Sequence, residues 1–285
     1  MTQYTINEKF RAAPAAAEGA RPPSEKMIKV AEMFGIGLDE SYEVALYEDF
    51  RIDIRPADVV FITGTSGSGK SVLLRRIEEA LRAEPAARVV NLADVERLPR
   101  SPVIELMAGP LEESLRLLSA AGRADAFLLL RTPDELSDGQ RYRLRLAKAL
   151  EECGVSERRT QDAGVGTLER GTRNAERGTQ DKETDEDKGT PSGAVVAGVP
   201  SSAFRVPSFS VLVADEFCST LDRLCARAVA YRVRRLADRY GLTVLAAAAN
   251  DDLVEDLAPD VLVIKHEASR AEVHYADPAR VAGER

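Results

Sequence analysis

Short runs dominated by apolar residues at 59–62, 88–92, 209–214, 242–248, 261–265 and 272–275 predict strands, and the run at 59–62 is apolar throughout. Upstream, Val44 and Leu46, then Phe50, Ile52 and Ile54, alternate with polar positions, which predicts two half-buried antiparallel strands between 43 and 54. Helical spacing appears at Met27, Val30, Ala31 and Phe34, and Gly35 and Gly37 end it. It returns over 71–83, over 111–121 through Leu115 and Leu118, over 124–130, 141–150 and 223–240, and briefly at 253–257 before Pro259. Strands alternating with helices predict an α/β fold with a mainly parallel sheet core, an antiparallel strand subdomain and a short helical subdomain before residue 136. In such sheets ligands sit at the carboxyl ends of the strands.

Two regions lack this patterning. Residues 1–26 are rich in Ala and polar residues and interrupted by Pro14, Pro22 and Pro23, and read as a disordered tail. Residues 155–207 carry imperfect repeats beginning Gly166-Thr167, Gly171-Thr172 and Gly178-Thr179, then the charged run 181–188, with no aromatic before Phe204. They read as a disordered insertion within a domain spanning 27–275, followed by a tail over 276–285. Such an insertion is tolerated because loop-closure cost grows slowly with length. A regulatory or partner-binding role for it stays open.

Charge and cysteines change this picture little. The net charge of −8 gives no general electrostatic reason to bind nucleic acid or an anionic membrane. Arg223, Arg227, Arg232, Arg234, Arg235 and Arg239 share one helix, which without interleaved aromatics reads as a solvated face rather than a nucleic-acid surface. Cys153, Cys218 and Cys225 form neither an even framework nor a metal-spaced cluster, which points to a reducing, cytoplasmic setting. His266 and His274 have no ligand partner at useful spacing, and no segment has the length and apolarity of a signal peptide or a membrane span.

The chemistry is concentrated in Gly64-Thr65-Ser66-Gly67-Ser68-Gly69-Lys70-Ser71, which follows the strand at 59–62 and opens the helix at 71. Glycines let the backbone turn its N–H groups around a polyphosphate, Lys70 reaches the terminal phosphates, and the Ser71 hydroxyl can ligate Mg²⁺. A second polar, glycine-bearing helix start, Leu136-Ser137-Asp138-Gly139-Gln140, offers another phosphate-contacting surface.

With Val211-Leu212-Val213-Ala214-Asp215-Glu216 and Ser219-Thr220-Leu221-Asp222, these segments stand in the order found in the ABC-type ATPases, which the chain resembles over about 40–275 apart from the insertion. The resemblance implies an ATP-dependent head-to-tail homodimer holding two ATP molecules. Each lies between one chain's phosphate loop, residues 64–71 continuing into Val72, and the other chain's signature, through Ser137, Gly139 and Gln140. It implies that Lys70 holds phosphates, that Ser71 and Asp215 position Mg²⁺, that Glu216 is the general base or orients water, and that Asp222 supports the interface. Tyr42, with Tyr47 second, is the candidate for stacking on adenine, beside a reading of both as ordinary strand packing.

Three departures stand out. Asn250 replaces the family's histidine, no glutamine lies between Ser71 and Glu135, and Asp138 replaces a signature glycine. Asp94 or Glu105 is the candidate to face the metal in place of the missing glutamine, against a surface reading. Only 67 positions separate Lys70 from Ser137, which argues against a transporter subunit and resembles a soluble group sometimes fused to an acetyltransferase-like domain. That implies an acetyltransferase-like partner, or another protein or nucleic-acid partner, without direct membrane insertion. The resemblance thus implies a soluble ATPase that hydrolyses MgATP, slowly given these departures, to drive a conformational cycle on its partner, with a non-hydrolysing ATP-gated switch or scaffold and a transporter's nucleotide-binding subunit as alternatives.

Overall fold

The computed structural model describes residues 2–12, 22–35, 37, 42–96, 98–122, 125–155 and 208–277. The chain begins with a strand, β1 (Thr2–Ala12), where the sequence suggests a tail. Tyr4 and Ile6 alternate inward with polar neighbours, and the prolines at 14, 22 and 23 fall beyond the strand. β1 pairs antiparallel with β2 (Tyr42–Ile54), a single strand where two were expected. The change of phase between Leu46 and Phe50 that suggested a break is a bulge. The register moves from Ile6 opposite Phe50 to Glu8 opposite Tyr47, with Asp49 at φ 46°. The Asp49 N–H donates to Asn7 Oδ1 at 2.6 Å, which fixes the bulge from the facing strand. Between these strands lies α1 (Glu25–Phe34), capped by Ser24 and by Gly35 at φ 64°, with no buried residue.

The central sheet contains β3 (Val59–Gly64), β4 (Ala87–Asn91), β5 (Phe209–Ala214), β6 (Thr243–Ala247), β7 (Val261–Lys265) and β8 (Ala271–Tyr275). Their order is β4-β5-β6-β3-β7-β8, parallel except for the terminal β7-β8 pair. Because side chains alternate across a strand, β3 serves two cores at once. Val60 and Ile62 pack with Leu73, Ile77 and Leu81 of α2 (Lys70–Arg82) and with Ile52 and Ile54 of β2. Val59 and Phe61 pack on the other face with Leu146 and Leu150 of α5 (Asp138–Glu152) and with Val229 and Val233 of α6 (Arg223–Tyr240). The helical portion is α3 (Leu111–Ala120) and the one-turn α4 (Ala126–Leu129), and a second one-turn helix, α7 (Val254–Leu257), follows β6.

Of the expected insertion, only Val155 is described, and it is buried in the α5 core with its N–H on the Leu150 carbonyl. Residues 156–207 and the expected tail from 278 lie outside the described residues. The arginines of α6 are drawn into the chain's own contacts: Arg227 to Asp256, Arg234 to Asp260, and Arg232 to the Ser119 carbonyl. Among the described residues no helix is long and apolar enough to cross a membrane.

Candidate active site

The loop after β3 is shaped by contacts that only glycine tolerates. Gly64 has φ 145°, and a Cβ there would lie 2.0 Å from the Lys265 carbonyl oxygen on β7. Gly69, at φ 102°, caps α2 with its backbone, so the helix's N-terminal N–H groups face outward without a side chain over them. Beneath it lies Tyr47, 1 % exposed, whose hydroxyl donates to the Gly69 carbonyl at 3.1 Å. Lys265, equally buried, places its ammonium 4.9 Å from the Tyr47 ring centre and donates to the carbonyls of His266, Ala268 and Arg270. Burial raises the pKa of Tyr47 and lowers that of Lys265. Tyr47 is therefore a prop under the loop, with no face to offer a base.

Above this support opens a cleft of about 550 Å³. Ser66, Gly67, Gly69, Lys70, Ser71 and Val72 line it from the loop, and Asp215 and Glu216 line it from the end of β5. Lys70 Nζ donates to the carbonyls of Gly64 at 2.8 Å and Thr65 at 2.7 Å. Burial lowers its pKa, partly opposed by the Asp215 carboxylate. Ser68 is buried, and its Oγ has no hydrogen-bond partner. Ser68 does not line the cleft; what faces it from the loop, an ammonium beside helix N-terminal N–H groups, suits an oxygen-rich anion.

Glu216 sits in a strained turn. Its φ is 50° and that of Cys218 is 60°, both in the left-handed region for residues with a Cβ. The Glu216 N–H donates to Asp215 Oδ1 at 3.0 Å, and the Phe217 N–H to the Ala247 carbonyl at 2.7 Å, which ties the turn to β6. Asp215 and Glu216 are exposed toward the cleft, while Phe217 and Cys218 are buried behind them.

The cleft also contains a wall that the sequence reading missed. Phe10 at the end of β1, 53 % exposed, lies with Val44 and Leu46 of β2 on the cleft. Phe10 became visible as a site residue only through the pairing of β1 with β2, since a residue assigned to a tail has no position. The backbone of Tyr42 pairs with Ala12, and its side chain lies outside the described residues.

The remaining candidates gather elsewhere. Asn250 is exposed on a neighbouring cavity of about 340 Å³ with Ser219, Leu221 and Asp252, sharing only Ala248 and Ala249 with the first. Ser137 caps α5: its Oγ accepts from the Gln140 N–H, and Gln140 Oε1 accepts from the Ser137 N–H. Gly139 abuts the 219–222 loop, where a Cβ would meet the Thr220 carbonyl at 3.2 Å. Asp222 caps α6 by accepting the Cys225 N–H, and these contacts with Cys225 hold its carboxyl below the usual range. Asn250, Ser137, Gly139, Gln140 and Asp222 all lie off the cleft that Lys70 lines. Asp94 is engaged by Arg82, and Glu105 stands exposed on a short turn away from the cleft.

No family model matches the chain. It is 24 % identical over 237 residues to a methionine import ATP-binding protein, MetN, of Sodalis glossinidius (strain morsitans). This similarity agrees with the resemblance to the ABC-type ATPases carried by the motif order. The aligned region covers 82 % of this chain and 61 % of that relative, so the chain spans about three fifths of its length. Among solved structures, the dimeric post-hydrolysis state of the ATP-binding cassette MJ0796 bound to ADP and Pi has a TM-score of 0.49 and 14 % identity, covering 81 % of this chain and 91 % of that one. CbiO1 from Clostridium perfringens, part of the ABC transporter complex cbiONQ, has a TM-score of 0.48 and 16 % identity, covering 84 % and 85 %.

Proposed function

We propose that this chain binds MgATP in the cleft between the phosphate loop and Asp215-Glu216 and hydrolyses it within a head-to-tail pair of copies. The observation that carries the reading is the convergence of Lys70, Ser71, Asp215 and Glu216 on one cleft. The loop N–H groups and Lys70 take the phosphates. Phe10, Val44 and Leu46 take the base. Ser71 and Asp215 are oxygen ligands suited to Mg²⁺, which keeps most of its remaining shell as water and phosphate oxygen and so needs no carboxylate cluster. The bound ion supplies neutralisation of phosphate charge.

Glu216 orients a water and accepts its proton. The water oxygen bonds to the γ-phosphorus as the bond from that phosphorus to the ADP oxygen breaks, releasing ADP and phosphate. Asn250, in the adjoining cavity, makes a supporting polar contact and cannot carry a proton as a histidine would. Ser137, Gly139, Gln140 and Asp222 lie off the cleft of their own chain, which fits a contribution to the nucleotide on a second copy.

The test is the mass of Glu216→Gln by sedimentation with and without MgATP. The account expects a monomer that doubles its mass only with MgATP and fails to do so when Lys70→Ala is added. A monomer under both conditions contradicts the dimer. A second reading, a transporter's nucleotide-binding subunit, is favoured by the import function in the name of the MetN relative. Co-purification with a membrane protein from its source would select it over a soluble partner.

A further inference from the structure

A direct hydrogen bond links the signature helix to the turn that carries Glu216. Tyr142, one turn into α5 and 3 % exposed, accepts the Cys218 N–H on its hydroxyl at 2.9 Å and points the same hydroxyl at Cys218 Sγ, 3.9 Å away. Cys218 lies two residues beyond Glu216, and both adopt left-handed backbone. Non-glycine residues persist there only when their surroundings over-determine them. The hydrogen bonds on this turn among the described residues are the Asp215 carboxylate on the Glu216 N–H, the Ala247 carbonyl on the Phe217 N–H, the Glu216 carbonyl on the Ser219 N–H, the Cys218 carbonyl on the Leu221 N–H, and Tyr142 on the Cys218 N–H. The first, third and fourth are local to the turn. The buried Phe217 side chain anchors it in the core, the Ala247 carbonyl ties it to β6, and the Tyr142 hydroxyl ties the Cys218 backbone to α5.

Burial suits Tyr142 to this task. Desolvation raises its pKa well above the ordinary value, and burial pushes the Cys218 thiol up to about 12, so both groups stay neutral at working pH. The bond is therefore a fixed neutral contact rather than a switchable ion pair.

We infer that Tyr142 is a positioning residue for hydrolysis: its hydroxyl holds the left-handed Cys218 backbone and thereby sets where the Glu216 carboxylate stands. This rests on the reading of Glu216 as the group that orients water. It also makes α5, whose first residues are offered to a second copy, continuous with the hydrolytic turn of its own chain.

Tyr142→Phe keeps the ring and removes only the hydroxyl. Steady-state hydrolysis and MgATP affinity, measured on the full chain, should separate. We expect kcat to fall about three- to tenfold, the range of one lost hydrogen bond expressed as a rate, with Kd for MgATP unchanged. A merely structural role would lower the folded fraction and leave kcat per bound nucleotide unaltered, and that result overturns the inference, as does a wild-type kcat. If Tyr142→Phe fails to fold, amide exchange in the wild type decides: the Cys218 amide should be as protected as those of β5, and rapid exchange refutes the restraint. If the wild type itself turns over no faster than Glu216→Gln while binding MgATP, the hydrolytic reading fails and this inference falls with it. That outcome is distinct from a hydrolysing wild type with an unaffected Tyr142→Phe.

Discussion

Phe10 illustrates how a single residue gains a role from its neighbours. Exposed aromatic surface beside Val44 and Leu46 is unfavourable in water, yet here it forms the apolar end of a cleft whose other end is a phosphate loop. Stacking of a base on an aromatic side chain is worth about 1–3 kcal/mol. Phe10→Ala is therefore expected to weaken MgATP binding roughly tenfold, read by equilibrium titration, with hydrolysis per bound nucleotide little changed. An unchanged affinity would place the base elsewhere. At this scale the sequence was informative about Lys70, Ser71, Asp215 and Glu216, because each belongs to a motif whose spacing carries its chemistry. It was uninformative about Phe10 and Tyr142, since an aromatic residue on a strand or helix has the same appearance whether it packs, stacks or props a turn. Tyr47 shows the reverse case: its spacing allowed an adenine contact, and its burial under Gly69 assigns it to the loop's support.

At the scale of elements, periodicity located the central strands and helices because burial on both faces leaves continuous apolar runs, as in β3, and amphipathic helices leave spaced ones, as in α2. It failed where strand identity depends on a partner distant in sequence. Among its described side chains β1 buries two apolar ones, Tyr4 and Ile6, and its pairing with a bulged β2 is invisible to local pattern. The strand nonetheless closes one face of the core, where Ile6, 7 % exposed, packs in the cluster that contains α2. Ile6→Ala is expected to lower unfolding free energy by about 2–5 kcal/mol, the range for truncating a buried aliphatic side chain, in chemical denaturation. A change below about 0.5 kcal/mol, the level of an ordinary surface substitution, would return these residues to the tail first expected. The caps are partly legible: Ser137 and Asp222 are short polar residues just before helical spacing begins, and both fasten helix N-termini by accepting a backbone N–H.

Across the whole molecule, the parallel sheet sets two groups of residues apart. The ends of β3 and β5 deliver the phosphate loop and the carboxylates to one cleft, while Ser137, Gly139 and the 219–222 loop assemble on each other and off it. Motif order along the chain made these groups recognisable, but their separation is a property of the folded topology. A single copy thus presents the proposed nucleotide cleft at one place and an exposed polar helix start at another. That is the arrangement from which the ATP-dependent doubling of mass in Glu216→Gln follows.

The central claim is that the cleft turns over MgATP, and steady-state phosphate release by the purified full chain tests it most directly. The account predicts release by the wild type, its loss in Glu216→Gln with MgATP still bound, and loss of both binding and release in Lys70→Ala. A wild type that binds MgATP yet releases phosphate no faster than Glu216→Gln would contradict it and make the protein a nucleotide-gated switch instead.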